Sequence, residues 1–226
     1  MAFCTLVLAA CSGEAPAPAQ PEEGAPVEAP AANAHATVAS PSFDCSRADG
    51  EAMEMVCSDA DLAAMDRELD RLYKLAVATP DMDSARANEL KAMQRGWVKG
   101  RDECWKASDK RQCVMTSYAM RIHEIRQGYA NARSDDGAGA SLGPLAFACE
   151  GQDFGVSATF VNTDPGAVAL QWLENSLALA HVPSGSGAKY EGTWNDQEAS
   201  LFTQGDEAML TLPGVSEKKC KIEEIG

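Results

Sequence analysis

Ser186-Gly187-Ala188-Lys189 sets a hydroxyl and an amine at the Ser-x-x-Lys spacing of acylating serine enzymes such as β-lactamases and penicillin-binding proteins. That chemistry requires a helix start under the serine and companion Ser-Asp-Asn and Lys-Thr-Gly motifs. The chain has neither motif, and glycines stand on both sides of Ser186. The Gly-x-Ser-x-Gly elbow is not met, and His181 is the sole histidine after residue 134, so no Ser-His-Asp set is evident. The chain is therefore not expected to be an enzyme. The same residues read better as a presenting loop, Ser184-Gly185-Ser186-Gly187-Ala188-Lys189-Tyr190-Glu191-Gly192. Its glycines permit φ > 0 backbone, and its two serines and one lysine are the side chains on offer.

Other reactive side chains carry less. The eight cysteines include no Cys-x₂₋₄-Cys pair and the three histidines are scattered, so neither zinc nor another metal nor a cofactor is expected. Arg95, Trp97, Arg101, Asp102 and Asp66 could be assembled into a binding cluster. Core packing by Trp97 and ion pairing by the charged residues is the simpler expectation. His123 falls between apolar positions of a predicted helix and reads as a partly buried structural histidine, while His35 lies in a low-complexity stretch and is expected to be idle.

Charge narrows the partners. The net formal charge is −15, and residues 135–226 carry 4 basic against 14 acidic side chains. Phosphate binding needs a basic surface, so nucleic acid is excluded as a natural partner. A basic protein suits the chain, because opposite fields speed association and favour specificity.

The elements that would hold the loop follow from composition and periodicity. Residues 1–10 are apolar and Leu8-Ala9-Ala10-Cys11 resembles a bacterial lipobox, which implies a lipid anchor on Cys11. The segment is short of the roughly twenty residues that span a bilayer and lacks a basic n-region, so the true start is expected upstream. Ser12 follows the cysteine where an aspartate would favour inner-membrane retention, which points to the outer membrane, facing the periplasm. Residues 11–41 are Ala, Pro and Glu with few large apolar side chains, a composition expected to form a disordered tether.

From residue 42 the pattern turns helical. Cys57-Ser58-Asp59 reads as a helix start, with Leu62, Met65, Leu69 and Leu72 at three- and four-residue steps, and Pro80 ends the run. Ser84 is a candidate cap for a second helix with Leu90, Met93 and Trp97 on one face. Asp109 opens a third with Val114, Tyr118, Ile122, Ile125 and Tyr129 in line. Three helices over 42–134 predict a small antiparallel bundle. Residues 135–144 read as a linker. Beyond it, short alternating runs appear at 145–149, 154–161, 168–172, 177–179, 189–194, 199–203 and 208–212. Turn clusters at 162–166, 183–187 and 204–206 lie among them. Short strands at this spacing predict an antiparallel barrel or sandwich. The fold class expected is α+β in two separate domains.

Two resemblances sharpen this. Ser184-Gly185-Ser186-Gly187-Ala188-Lys189-Tyr190, followed by Gly205-Asp206-Glu207-Ala208-Met209-Leu210, resembles the MliC family of membrane-bound or periplasmic inhibitors of c-type lysozyme. The resemblance implies a compact barrel of about eight strands over 145–226, and a partner, c-type lysozyme, whose cleft the loop enters. It gives Ser186 the contact with the enzyme's catalytic carboxylates, within a partner-binding set of Ser184, Ser186, Gly187, Ala188, Lys189, Tyr190 and Gln204. The family places a lysine where this chain has Gln204, and a glutamine amide makes no charge-assisted bond to a carboxylate. Phe43-Asp44-Cys45, Cys57-Ser58-Asp59, Gln94-Arg95-Gly96-Trp97, Arg101-Asp102-Glu103-Cys104 and Cys113 resemble the LprI N-terminal-like family of exported, cysteine-paired helical domains.

With Cys11 lipidated and Cys4 removed with the signal, six cysteines remain for pairing in an oxidising compartment. The MliC resemblance implies Cys149–Cys220. Within the helical domain Cys104–Cys113 with Cys45–Cys57 is the expected set, and Cys45–Cys113 with Cys57–Cys104 its alternative. The functional expectation is a lysozyme inhibitor of the cell envelope. Its rival is a non-catalytic envelope module that binds some other cell-envelope or host partner.

Overall fold

The computed structural model describes residues 40–80, 82–133 and 138–223, all within one compact unit, Thr37–Gly226. The signal segment, the lipobox cysteine Cys11 and, but for residues 40 and 41, the tether predicted over 11–41 lie outside the described residues. Among the described residues, no helix is long and apolar enough to cross a membrane, and no group of acidic, His or Cys side chains is placed to hold a metal.

Among the described residues the helical half contains four α-helices where periodicity marks three. Helix α1 (Glu51–Ser58) turns at Asp59 into α2 (Ala60–Val77), and α3 (Ser84–Asp102) and α4 (Lys110–Gly128) follow. The additional helix α1 has eight residues and buries only Ala52 and Val56, too short a stripe to stand out in sequence. Asp59 is extended (φ −111°, ψ 118°) and caps α2 by accepting from the amides of Asp61 and Leu62. For α3 the cap is Asp83, which accepts from Arg86 N, one residue earlier than expected. Asp109 caps α4 through Gln112 N as predicted. Leu62, Met65, Leu69, Leu72, Val114, Tyr118, Ile122 and Ile125 form the buried seam between α2 and α4. Met93 departs from the expected α3 stripe and is 48% exposed, because α3 buries only Leu90 and Arg101 against the rest.

Of the two arrangements open within the helical half, the structure has Cys45–Cys57 and Cys104–Cys113. The first ties the opening 3₁₀ turn to the end of α1. Arg101 is buried and donates to the Tyr118 hydroxyl (3.0 Å), which donates to Asp66 (2.9 Å), while Trp97 meets Tyr118 edge to face at 5.1 Å. Burial opposes the Arg101 charge, but Tyr118 and Asp102 outweigh it and raise its pKa; burial, with the Asp66 charge, pushes the Tyr118 phenol up. The cluster is therefore packing and ion pairing, with Arg95 left exposed on the surface.

The second half is a closed antiparallel up-and-down barrel. Its strands are β1 (Ser141–Cys149), β2 (Val156–Val161), β3 (Ala167–Trp172), β4 (Asn175–Val182), β5 (Ala188–Trp194), β6 (Gln197–Gln204), β7 (Glu207–Leu212) and β8 (Val215–Ile222). Strand β1 begins four residues ahead of the predicted boundary. An irregularity between Leu142 and Leu145 absorbs Gly143-Pro144, where proline could not serve a regular ladder. Closure joins β1 to β8, with Cys149 and Cys220 in register and bonded. Cross-linking ends this far apart in sequence typically contributes about 2–4 kcal/mol. Strand β8 gives no alternating signal because Ser216, Glu217, Lys219 and Lys221 crowd its outward positions and only Cys220 is buried.

The barrel interior is filled by Phe147, Ala158, Phe160, Val168, Leu170, Trp172, Leu177, Leu179, Tyr190, Leu201 and Leu210. The alternate residues of β2 to β4 are small and are buried too: Val161, Ala167, Ala169 and Ala178 belong to the same core as α2 and α4, with Ala180 against it. Helix α4 lies over the outer face of β1 to β4. Several polar groups of this junction are paired. His123, 1% exposed, bonds Thr159 Oγ1 through Nδ1 (2.8 Å) and Gln171 Oε1 through Nε2 (3.0 Å). Arg126 donates to the carbonyls of Gly143 (2.6 Å) and Ala132 (3.1 Å) and to the Ser141 hydroxyl. Glu68 accepts from Ser141 and from Arg71. The helical core thus takes in the outer face of β2 to β4, beside the barrel's own interior, a closeness the sequence reading does not anticipate.

Asp59 links capping to pH. Burial raises its pKa, but Arg111 at 2.7 Å and the amides of Leu62 and Asp61 outweigh it, so the carboxyl sits below its ordinary range. A carboxyl depressed in the fold adds stability above its unfolded pKa of about 3.9 and loses it as pH falls through the folded value. Asp59→Asn keeps the capping oxygen and is expected to flatten the fall in stability below about pH 4. Asp59→Ala also removes the cap and is expected to cost about 1 kcal/mol more at pH 7. Urea unfolding between pH 3 and pH 7 measures both.

Candidate functional site

The loop of interest is the β4–β5 connection, Pro183–Gly187, at one end of the barrel. Antiparallel pairing brings three other features to that end: the β2–β3 loop 162–166, the β6–β7 turn at Gly205-Asp206, and the close of β8. Ala188 registers with Thr203, so Ser186, just ahead of β5, and Gln204, the last residue of β6, lie at neighbouring strand ends, as the two sequence motifs require if they are to act together.

The two serines have different surroundings. Ser184 turns its hydroxyl back onto the loop and donates to the carbonyls of Ser186 (3.2 Å) and Gly187 (3.0 Å). Ser186 is exposed, and its hydroxyl has no partner among the described residues. Gly187 (φ +65°) is pressed onto β6: a Cβ there would sit 2.3 Å from Thr203 O and 3.1 Å from the Phe202 ring. Gly185 is different, with nothing within 4 Å of a Cβ position and no positive φ. The loop is therefore clamped at Gly187, braced by Ser184, and open at Gly185 and Ser186.

Beneath it, Tyr190 is 5% exposed inside the barrel mouth. It packs against Phe160 (ring centroids 5.6 Å) and edge to face on His181 (5.3 Å), its register partner on β4, and burial pushes its phenol pKa up. His181 N donates to Gly166 O, and Gly166 N donates to Asp61 at the start of α2 (3.3 Å). The helical bundle thus anchors the loop that neighbours the presenting loop. Lys189 points outward into an ion pair with Glu191 at 2.6 Å. Gln204 is exposed and registers with Glu207 across the β6–β7 turn. It also lines a groove of about 670 Å³ on the outer face of β6, β7 and β8 and the end of β1, with Phe202, Glu207, Met209, Lys219, Lys221 and Glu150. Sequence reasoning did not single out this groove; the signal available was the Lys218-Lys219-x-Lys221 run in an otherwise acidic half.

Residues 45–136 match a family model described as lysozyme inhibitor LprI, and residues 147–219 match one described as membrane-bound lysozyme-inhibitor of c-type lysozyme, MliC. Lipoprotein LprI of Mycobacterium bovis and that of Mycobacterium tuberculosis are each 31% identical to the chain over 162 residues, covering 71% of this chain and 76% of theirs. The chain belongs to the LprI family. No solved structure matches significantly. In this LprI-family chain the MliC match contains the whole presenting loop and Gln204, and the LprI match contains all four helices. The match to lipoproteins assigns the chain to a family of cell-envelope lipoproteins.

The clamp at Gly187 and the freedom at Gly185 give opposite expectations for one substitution. Gly187→Ala is expected to destabilise the barrel by at least about 1–2 kcal/mol, the cost of a left-handed non-glycine residue, before the clash with Thr203 is added. Gly185→Ala is expected to leave the melting temperature unchanged. Thermal unfolding followed by near-UV circular dichroism compares the two.

Proposed function

We propose that this protein inhibits c-type lysozyme by inserting the Ser184–Gly192 loop into the enzyme's active-site cleft, and so protects peptidoglycan. The observation that carries the proposal is the free, exposed Ser186 hydroxyl at the tip of a loop fixed at its base by Gly187 and Ser184. Lysozyme acts through one protonated carboxylic acid and one ionised carboxylate placed on either side of the glycosidic bond. A serine hydroxyl both donates and accepts, so it meets either protonation state. The open space around Gly185 lets the backbone approach the cleft walls. An ordered loop also gives up less entropy when it binds.

In this reading Tyr190 supports the loop from inside the barrel, Ser184 braces it, and Ala188 and Lys189 flank the contact. The acidic surface draws a basic enzyme towards it. Cys11 would carry the lipid anchor and hold the protein at the outer membrane facing the periplasm. Gln204 supplies an uncharged amide beside the loop, a weaker donor to a carboxylate than an ammonium.

Clearing of a Gram-positive cell-wall suspension by a c-type lysozyme, with the oxidised protein titrated in, tests the proposal. Ser186→Ala is expected to weaken inhibition about tenfold or more, the scale of one hydrogen bond to a charged group. Gln204→Lys is expected to strengthen it. Unchanged inhibition by the Ser186 variant would remove that residue from the contact. No inhibition by the folded parent would favour an envelope-binding module instead.

A further inference from the structure

Basic side chains are scarce in the barrel half: after residue 134 the chain has only Lys189, Lys218, Lys219 and Lys221. Lys189 is engaged by Glu191, and the other three lie on β8. Cys220 faces the interior, so strand alternation sends Lys219 and Lys221 to the outer surface. Both are exposed, and neither makes an ion pair among the described residues. Both line the groove that holds Gln204, and Phe202 is the wall between that groove and the loop, since its ring lies under Gly187. Lys221 registers with Glu207, which registers with Gln204, and Ile222 N donates to Asp206 O (3.1 Å). Strand β8 therefore ends beside the β6–β7 turn, at the loop's end of the barrel.

We infer that Lys221, with Lys219 one pleat behind it, supplies the cation that faces the carboxylates of the lysozyme cleft while Ser186 supplies the neutral hydrogen bond. The inference rests on the reading of the loop given above and adds a second strand to the contact. The partner's surface is basic overall, but the groups this loop would cover are acidic. Covering an ionised carboxylate without a partner is costly, and a hydroxyl compensates only in part. Gln204 carries no charge and Lys189 is occupied, which leaves the two β8 lysines as the cations on this side of the barrel. Strands lie about 4.8 Å apart, so β8 stands about 10 Å from β6, and Lys219 is set back from Lys221 by about 7 Å along its strand. The contribution is thus graded, with Lys221 ahead.

The test compares Lys221→Gln, Lys219→Gln and Lys218→Gln in the oxidised, otherwise intact protein, each checked for an unchanged melting temperature. Inhibition constants are measured against c-type lysozyme at low and at physiological salt, beside the parent and Ser186→Ala. Every one of these lysine substitutions makes an acidic protein more acidic, so a long-range field alone would tighten binding to a basic enzyme equally in all three. A local contact has the opposite sign. Lys221→Gln is expected to weaken inhibition about tenfold, as for loss of a close interfacial charge pair, and Lys219→Gln less. Lys218→Gln, whose side chain does not line the groove, is expected to leave it unchanged or slightly improved. Adding Gln204→Lys to Lys221→Gln is expected to restore part of the loss, because it returns a cation to the same groove. If the parent inhibits and Ser186→Ala weakens it while Lys221→Gln behaves as Lys218→Gln does, this inference fails and the loop reading stands. If the folded parent does not inhibit, both fall.

Discussion

The packing of α4 against the outer face of β2 to β4 is the contact on which the molecule's organisation depends. A small barrel ordinarily alternates apolar residues inward with polar ones outward. Here Ala167, Ala169, Ala178 and Ala180 stand outward, flat enough for a helix to lie across them, and His123, Gln127 and Arg126 satisfy the polar groups at the margins. Separated from the helices, that face would present apolar surface to water. Separated from the barrel, α4 would lose one side of its buried seam. Each half completes the other's core, so the helical bundle is structural support for the barrel and more than a spacer.

That support reaches the presenting loop by a short path. Asp61 at the start of α2 holds Gly166, whose carbonyl holds His181 N, and His181 packs on Tyr190 under the loop. Asp61 is in turn fixed by Arg111, which also binds the capping carboxylate Asp59. The cap that starts a helix and the brace of a loop on the barrel are therefore parts of one charged cluster. Two serines of identical chemistry, two residues apart, take opposite roles: the Gly187 clamp after them fixes the carbonyls that Ser184 bonds, while Gly185 between them is unconstrained. Ser184 faces carbonyls within bonding distance, and Ser186 faces solvent.

Much of this was legible in the sequence, where the signal was strong and local. Helical periodicity located the seam of Leu62, Met65, Leu69 and Leu72 against Val114, Tyr118 and Ile122, and the glycines and turn residues located the loop and the β6–β7 turn. Less was legible where two partners compete for one residue. The runs Ala167-Val168-Ala169-Leu170 and Leu177-Ala178-Leu179-Ala180 are apolar on both faces, the mark of a strand covered on both sides, but alanine is too small for that second face to register as a core. Strand β8 was hidden for the converse reason, its outward positions being charged and its inward ones few. Met93 occupied a core-spaced position on a helix that meets its neighbours only along a narrow edge. The pairing of Lys189 with Glu191, two residues apart on one strand face, follows from alternation once the strand is known.

Charge acts on this surface at two ranges with opposite signs. At distances beyond a Debye length, about 8–10 Å in ordinary salt, only the summed field matters, and that field is strongly negative. Within contact range the local pattern governs, and along β8 it is positive at Lys219 and Lys221 beside the acidic Glu207 and Asp206. A uniformly acidic face would attract a basic partner yet meet any acidic cleft with repulsion. A uniformly basic one would suit the cleft and repel the enzyme that carries it. Concentrating nearly all the cations of the barrel half on one strand, next to the loop, would reconcile the two demands of the proposed contact. On the proposed contact, an uncharged Gln204 would be tolerable at the turn, with the cation of that groove set on the strand beyond it, within the same concave surface.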